Sequence, residues 1–161
     1  MDIDHPGGVD IVGSLPSSFF DVRFVGEMVP GHRPEMGLTA GSNCQRYAYA
    51  VLRHFGLSVP DLRSSDLWVD QGSTMAVANP AALDLVLYAP TRDPWGAHVG
   101  VFLGGSSVLH LCQEVGVPAV WDFDDFADRD RYREQLGFKR VRRPDQDSGG
   151  CSPQGLGGAG R

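Results

Sequence analysis

The strongest pattern in the chain is a helical one that begins near Cys44. Apolar residues recur from there at three- and four-residue spacing, as on the buried face of a helix: Tyr47, Ala48, Val51, Leu52 and Phe55. Ser42 or Asn43 has a side chain suited to the N-cap, and Gly56 suits the C-terminal cap. The pattern therefore predicts a helix with Cys44 in its first turn.

Three short apolar runs further along the chain predict strands. They are rich in Val and Leu, are separated by Gly and Pro, and span residues 83–88, 98–103 and 107–112. The last two runs are expected to form a hairpin. If its loop has three residues, 104–106, the two residue numbers of every cross-strand pair add up to 210. His98 and His110 then lie on one face as diagonal neighbours, whereas a two-residue loop would separate them unless a bulge intervened.

The remaining segments carry weaker signals. Glycines and prolines divide the N-terminal quarter into short pieces, of which 19–29 is the one expected to be ordered. A short helix near 62–69 and a loop at 72–80 precede the strands. The acidic segment 121–137 is predicted to be helical, and 138–141 is predicted to add a last strand.

The length of 161 residues is enough for one domain with its own core. We expect an N-terminal extension at 1–25 that acts as a lid, a folded domain at 26–143, and a tail at 144–161. The tail is rich in Gly, Ser and Pro and has almost nothing apolar, so it is predicted to be disordered together with its Cys151.

Charge and hydropathy exclude two classes of partner. The net charge is −6, and the basic run at 139–143 is expected to be a solvated strand end, so nucleic acid is not an expected partner. No segment reaches the about 18 apolar residues that span a bilayer, and the acidic N-terminus is unlike a secretory signal. We therefore expect a cytoplasmic protein, with export by a non-standard route left open.

The candidate chemistry rests on Cys44 and two histidines. A helix N-terminus presents unpaired N–H groups and a positive dipole end, which favour a thiolate and can bind an oxyanion. Burying an imidazole in an apolar strand costs free energy unless the ring is hydrogen-bonded or has a function. His98 is therefore predicted to be the base and His110 the residue that orients it. Cys112 falls opposite His98 but lacks a helix end, and core packing is its expected role.

The order of these motifs resembles the NlpC/P60 family. The resemblance covers about residues 25–112 and rests on NCQRYAYAVL on the helix, LDLVLY, HVGVFLG and VLH. It implies an α+β fold with a papain-like core, in which the nucleophile-bearing helix packs on a small antiparallel sheet. It also implies a cysteine peptidase or amidase that cleaves amide bonds near D-amino acids in peptidoglycan peptides without a cofactor, with Cys44, His98 and His110 as nucleophile, base and orienting residue.

Departures from the family pattern concern the substrate. Many members have Asp before the cysteine and Ser-Gly after it, where this chain has Asn43 before and Gln45-Arg46 after. The expected upstream aromatic is missing near Val29. Because the family uses these positions to hold the substrate's peptide, Asn43 and Gln45 are candidates for substrate binding. Trp95 is a third candidate because it stands just before His98, with packing as the alternative.

Three other functions remain open. A thiol acyltransferase or acyl hydrolase would use the same Cys–His pair, although the related permuted group usually places its His first. A zinc-binding module would gather Cys44, His98, His110 and Cys112, but the spacing lacks close ligand pairs. A catalytically silent binding domain would keep the fold without the reaction.

Overall fold

Six strands form one antiparallel sheet in the computed structural model, which describes residues 10–143. The strands β1 to β6 are Thr74–Val77, Leu85–Ala89, His98–Gly104, Ser107–His110, Ala119–Asp122 and Glu134–Val141. The helices α1 to α4 are Ile11–Ser14, Cys44–His54, Ser64–Val69 and Phe123–Ala127. Across the sheet the order is β1-β6-β2-β3-β4-β5. The predicted α+β class, with a helix packed on an antiparallel sheet, is confirmed.

Helix α2 forms as its sequence predicts. The Asn43 side chain accepts a hydrogen bond of 2.9 Å from the Arg46 backbone N–H, which makes Asn43 the N-cap and Cys44 the first helical residue. The helix ends at His54, and Gly56 follows in a left-handed conformation with φ of 87°. Its apolar face packs on β3, so the sheet fixes where the helix N-terminus lies.

The two faces of the sheet bury different cores. One face packs against α2 and is built mainly from aliphatic side chains, including Leu85, Leu87, Val99, Val101 and Leu109. The other packs under α4 and is richer in aromatic residues: Val86, Tyr88, Phe102, Val108, Cys112, Phe126 and Tyr132. The predicted packing role of Cys112 is confirmed, because this residue is 2% exposed within the second core.

The β3–β4 hairpin has the predicted register but a different turn. Val101 pairs with Leu109 and Phe102 with Val108, so the paired numbers sum to 210. The pairing then shifts, and Gly104 pairs with Ser107. A bulge and a two-residue turn at 105–106 thus replace the predicted three-residue loop. The bulge adds one residue to β3, and this extra residue keeps the predicted pairing in the rest of the hairpin.

The C-terminal part of the described chain differs most from its prediction. The helix predicted over 121–137 is wrong, since Trp121 belongs to β5, α4 has five residues, and β6 begins at Glu134. The loop predicted at 72–80 contains β1. Strand β6 lies between β1 and β2, so pairing with two distant segments overrides the local acidic and helical pattern.

The basic run near the end of β6 is not uniformly solvated, contrary to expectation. Lys139 is 2% exposed, and its Nζ donates hydrogen bonds of 3.0 and 2.6 Å to the backbone carbonyls of Trp68 and Asp70. Arg140 Nε donates at 2.9 Å to the buried carboxylate of Asp84. These side chains therefore tie β6 to the segments beside it.

The described part of the predicted N-terminal extension belongs to the main core. Ile11, Leu15 and Val22 are all buried there, next to α2 and the sheet. The segment 19–29 forms turns and one parallel bridge between Phe24 and Ser42 in place of a regular element. The division into extension, domain and tail stays a prediction, and the tail at 144–161 lies outside the described residues.

Candidate active site

The two histidines of the hairpin are joined by a hydrogen bond. His98 opens β3 and His110 ends β4, and both are buried on the aromatic face of the sheet. His98 Nε2 lies 2.8 Å from His110 Nδ1, and the two rings are nearly perpendicular at 89°. The sequence-based prediction that the imidazoles share one face is confirmed.

Gly100 makes room for the second imidazole. A Cβ atom at this position would lie 2.5 Å from Val108 Cγ1 and 3.3 Å from the Cβ of His110. The first distance is far below van der Waals contact, so a larger residue would displace the Val108 side chain or β4 and crowd His110. The glycine in the His-Val-Gly motif is therefore explained by side-chain packing across the hairpin.

Cys44 lies where the start of α2 meets the start of β3. Hydrogen bonding from the backbone N–H groups of Val99, Cys44 and Gln45 acts to lower the pKa of its thiol. Val99 follows His98 directly, so the thiol and the histidine pair are neighbours at this corner of the sheet. Within the described residues, His98 Nε2 bonds His110, and no hydrogen bond joins the Cys44 sulfur to an imidazole.

Burial makes the thiol less acidic, contrary to the expectation from its helix end. Loss of solvent raises the pKa of Cys44 to about 11, because the backbone N–H groups offset only part of that cost. Part of the Cys44 surface stays accessible, so reagents can still reach it. The thiol is therefore protonated at neutral pH in this conformation.

The two imidazoles are also held in their neutral forms. Burial is the main cause that lowers the pKa of His98 well below its usual value, and the neighbouring His110 and the positive charge of Arg131 lower it further. Burial, with a smaller effect of Arg129, lowers the pKa of His110 to about 3. When His98 Nε2–H donates to His110, the other ring nitrogen of His98 has a free lone pair and can act as a base.

Aromatic rings surround the histidine pair. The Tyr132 ring lies 4.7 Å from that of His98, while Trp121 and Phe126 lie 4.3 and 4.7 Å from His110. His110 Nε2 is buried without a hydrogen-bond partner among the described residues. Trp121 and Phe126 are therefore the nearest rings to an imidazole that lacks one of its ordinary hydrogen bonds.

Sequence reasoning missed these three rings. Trp121, Phe126 and Tyr132 fall in the segment that was predicted as one acidic helix, and the structure places them on β5, α4 and a 3-10 turn. Their signal is the presence of large aromatic residues within a run of aspartates. Acidic side chains face solvent there while the rings turn inward.

The predicted substrate-binding residues occupy different environments. The Asn43 side chain is used as the helix cap, and Gln45 Nε2 donates at 3.1 Å to the backbone carbonyl of Leu62. Trp95 is 79% exposed on the loop that leads into β3. Trp95 is therefore the one of the three whose side chain is free to meet a ligand.

The zinc alternative finds no support in the described part of the chain. Between residues 10 and 143, no three His, Cys, Asp or Glu side chains are grouped as metal ligands. No helix over the same residues is long and apolar enough to cross a membrane.

Two solved structures with a similar fold are both described as NlpC/P60 proteins. The NlpC/p60 domain of the peptidoglycan hydrolase SagA superposes with a TM-score of 0.50 and 20% identity, over 78% of this chain and 92% of that one. The fold is that of an NlpC/P60 domain. A lipoprotein-like NLP/P60 family protein from Staphylococcus aureus gives a TM-score of 0.52 and 19% identity, over 80% of this chain and 43% of its own.

These similarities concern the fold alone. No protein-family model matches the sequence, and no curated protein matches it. This chain spans less than half of the Staphylococcus aureus protein and almost all of the SagA domain. The NlpC/P60 fold was expected from the motifs around Cys44, His98 and His110, and it is confirmed by these structures.

Proposed function

We propose that this chain is a cysteine hydrolase that cleaves an amide bond in a peptidoglycan-type peptide. The observation that carries the proposal is the 2.8 Å bond between His98 and His110, formed at the corner where α2 begins with Cys44. The general requirement of thiol catalysis is a nucleophile, a base near it and a third group that orients the base. The fold of the peptidoglycan hydrolase domain of SagA supports the choice of substrate class.

In the proposed reaction, His98 Nδ1 removes the thiol proton as the Cys44 sulfur attacks the amide carbonyl carbon. The backbone N–H at the start of α2 stabilises the oxyanion that forms. His98 then returns the proton to the leaving amine as the carbon–nitrogen bond breaks, and water hydrolyses the thioester to release the acid. His110 keeps the His98 ring in the tautomer and orientation that this transfer needs.

The direct test is cleavage of soluble peptidoglycan fragments with D-amino acids, followed by mass spectrometry of the products. We expect one amide bond to be hydrolysed by the wild type and the activity to fall at least about 10³-fold in His98→Ala. His54→Ala is the matched control, because His54 is exposed and packs against Phe19 and Phe55 away from the site. Equal activity in wild type and His98→Ala would refute the proposed base.

A catalytically silent binding domain is the second candidate. It is favoured by the raised pKa of Cys44 and by the lack, in the described part of the chain, of a hydrogen bond from its sulfur to an imidazole. The rate of alkylation of Cys44 by iodoacetamide between pH 6 and pH 10 separates the two functions. In a hydrolase His98→Ala slows alkylation near neutral pH, since the base helps to remove the proton, whereas in a silent domain the rate follows the thiol alone.

A further inference from the structure

Strand β5 contributes one ring to the surroundings of the histidine pair, but it lies at the edge of the sheet. Within the described residues it pairs with β4 alone, and its four side chains alternate between half-buried and exposed. Trp121 is the large half-buried side chain of this strand, and the centroids of its ring and the His110 ring are 4.3 Å apart. A short edge strand is held from one side only, so the position of Trp121 depends on contacts from outside the sheet.

Arg129 supplies such a contact. Its guanidinium carbon lies 4.0 Å from the centroid of the Trp121 ring, so Trp121 contacts Arg129 and His110 at once. The same guanidinium has three hydrogen-bond contacts of 2.9 to 3.0 Å with the Glu114 carboxylate, and it donates at 2.6 Å to the backbone carbonyl of Asp125. Several contacts from one planar group fix both its place and its plane.

The Arg129–Glu114 pair differs from the other exposed ion pairs between residues 10 and 143. Those of Arg33, Arg92 and Arg133 join at 3.4 to 3.9 Å, whereas Arg129 binds its carboxylate through both Nε and a terminal nitrogen. An exposed pair contributes little to stability because water screens it, but paired contacts of this kind add geometric specificity. The pair therefore acts as a clamp, and what it fixes is the ring beside His110.

His110 depends on packing for its orientation. Its Nδ1 lies 2.8 Å from His98 Nε2, while its Nε2 has no hydrogen-bond partner among the described residues. A ring held by one hydrogen bond can still tilt, and the contacts with Trp121 and Phe126 restrict that motion. The positive charge of Arg129 also helps burial to lower the pKa of His110, and only a neutral His110 can accept a hydrogen bond at Nδ1.

We propose that Arg129 is a positioning residue for the histidine pair. Clamped to Glu114, it holds Trp121 against His110 and so keeps His110 where it orients His98. The effect on the reaction rate rests on the proposed hydrolase function, whereas the effect on the His98–His110 bond does not. Because Arg129 acts through Trp121 and not on the substrate, its loss should lower kcat and leave KM nearly unchanged.

The first experiment needs no substrate. The ring N–H between His98 Nε2 and His110 Nδ1 is observed by NMR at pH 7 in protein with ¹⁵N-labelled histidine, and its exchange rate with water is measured. We expect Arg129→Gln to speed this exchange about 10-fold, since a loosened His110 leaves the bond more often. Backbone N–H groups of β3 and β4 should keep their exchange rates. Arg133→Gln is the control and should behave as the wild type.

Arg129→Lys separates the clamp from the charge. Lysine keeps the positive charge but lacks the planar group that binds the carboxylate and covers the ring, so we expect it to resemble Arg129→Gln. Wild-type exchange in Arg129→Lys would show that the charge alone acts and would overturn the clamp. Unchanged exchange in Arg129→Gln, or an increase shared by the backbone N–H groups, would overturn the positioning role as well.

The second experiment measures cleavage of soluble peptidoglycan fragments. We expect Arg129→Gln to lower kcat about 10-fold with KM within about 2-fold of the wild type. Glu114→Gln is the milder variant, with an expected loss of about 3-fold, and the double variant should be no worse than Arg129→Gln because the two residues act as one unit. Unchanged kcat, or a loss that lies mainly in KM, would contradict the proposal. If the wild type cleaves no fragment, the hydrolase proposal fails, and the ring N–H exchange still decides the role of Arg129.

Discussion

The two faces of the sheet differ in what they bury and in what they can do. Beneath α2 the core is mostly aliphatic, with residues such as Leu52, Leu87 and Val99 fully buried. The opposite face combines the His98–His110 pair with a cluster of aromatic rings, and there one imidazole nitrogen has no hydrogen-bond partner among residues 10–143. The first face stabilises the fold without burying polar groups. The second face buries two neutral imidazoles, and the loss of their hydration costs part of the folding free energy that the rest of the core supplies.

Removing the nucleophile should produce the largest functional effect and little change in stability. We expect Cys44→Ala to lower the cleavage rate by at least about 10³-fold, since the substitution removes the sulfur that attacks the carbonyl. Cys112→Ala is the matched control, because Cys112 is buried in the aromatic core and should affect stability more than rate. Substrate cleavage by Cys44→Ala at the wild-type rate would refute the assignment.

A truncation on the aliphatic face should have the opposite profile. Leu52 is fully buried against the sheet, so Leu52→Ala is expected to lower the free energy of unfolding by about 2–5 kcal/mol. Urea denaturation followed by circular dichroism measures this loss. The cleavage rate per folded molecule should stay near that of the wild type, and a large rate loss in fully folded protein would contradict the proposed separation of the faces.

A methyl group added beside the histidine pair should affect the rate more than its size suggests. Gly100→Ala places a Cβ 2.5 Å from Val108 Cγ1 and 3.3 Å from the Cβ of His110, so the Val108 side chain or β4 itself must shift. We expect cleavage to fall about 10-fold or more from misplaced imidazoles. Gly26→Ala is the control, because the nearest atom there is 3.8 Å away on Phe24. Equal activity of both variants would show that the pair tolerates displacement.

The neutral His110 should make the protein sensitive to acid. The folded-state pKa of His110 is about 3 while the unfolded value is near 6.5, so the unfolded chain binds more protons at lower pH. Stability should therefore fall below pH 6.5, by up to about 1.4 kcal/mol per pH unit from this residue. Urea denaturation at pH 7 and pH 5.5 measures the slope. His110→Gln should flatten it, whereas the exposed-site control His54→Gln should not.

The parts of the site that could be predicted from sequence are the locally encoded ones. Asn43 caps the helix that presents Cys44, and the parity of β3 and β4 brings His98 and His110 together. The predicted length of the β3–β4 loop was wrong, but the bulge before Gly104 keeps the predicted pairing of the two strands.

The sequence by itself determined helix α2, its cap and the register of the hairpin, because each depends on residues a few positions apart. Only the tertiary structure decided that β6 lies between β1 and β2 and that Trp121, Phe126 and Tyr132 close around the imidazoles. It also decided the protonation of Cys44, whose pKa is raised because desolvation outweighs the local N–H groups at the helix end. Desolvation depends on everything packed around an atom, and that packing comes from distant parts of the chain.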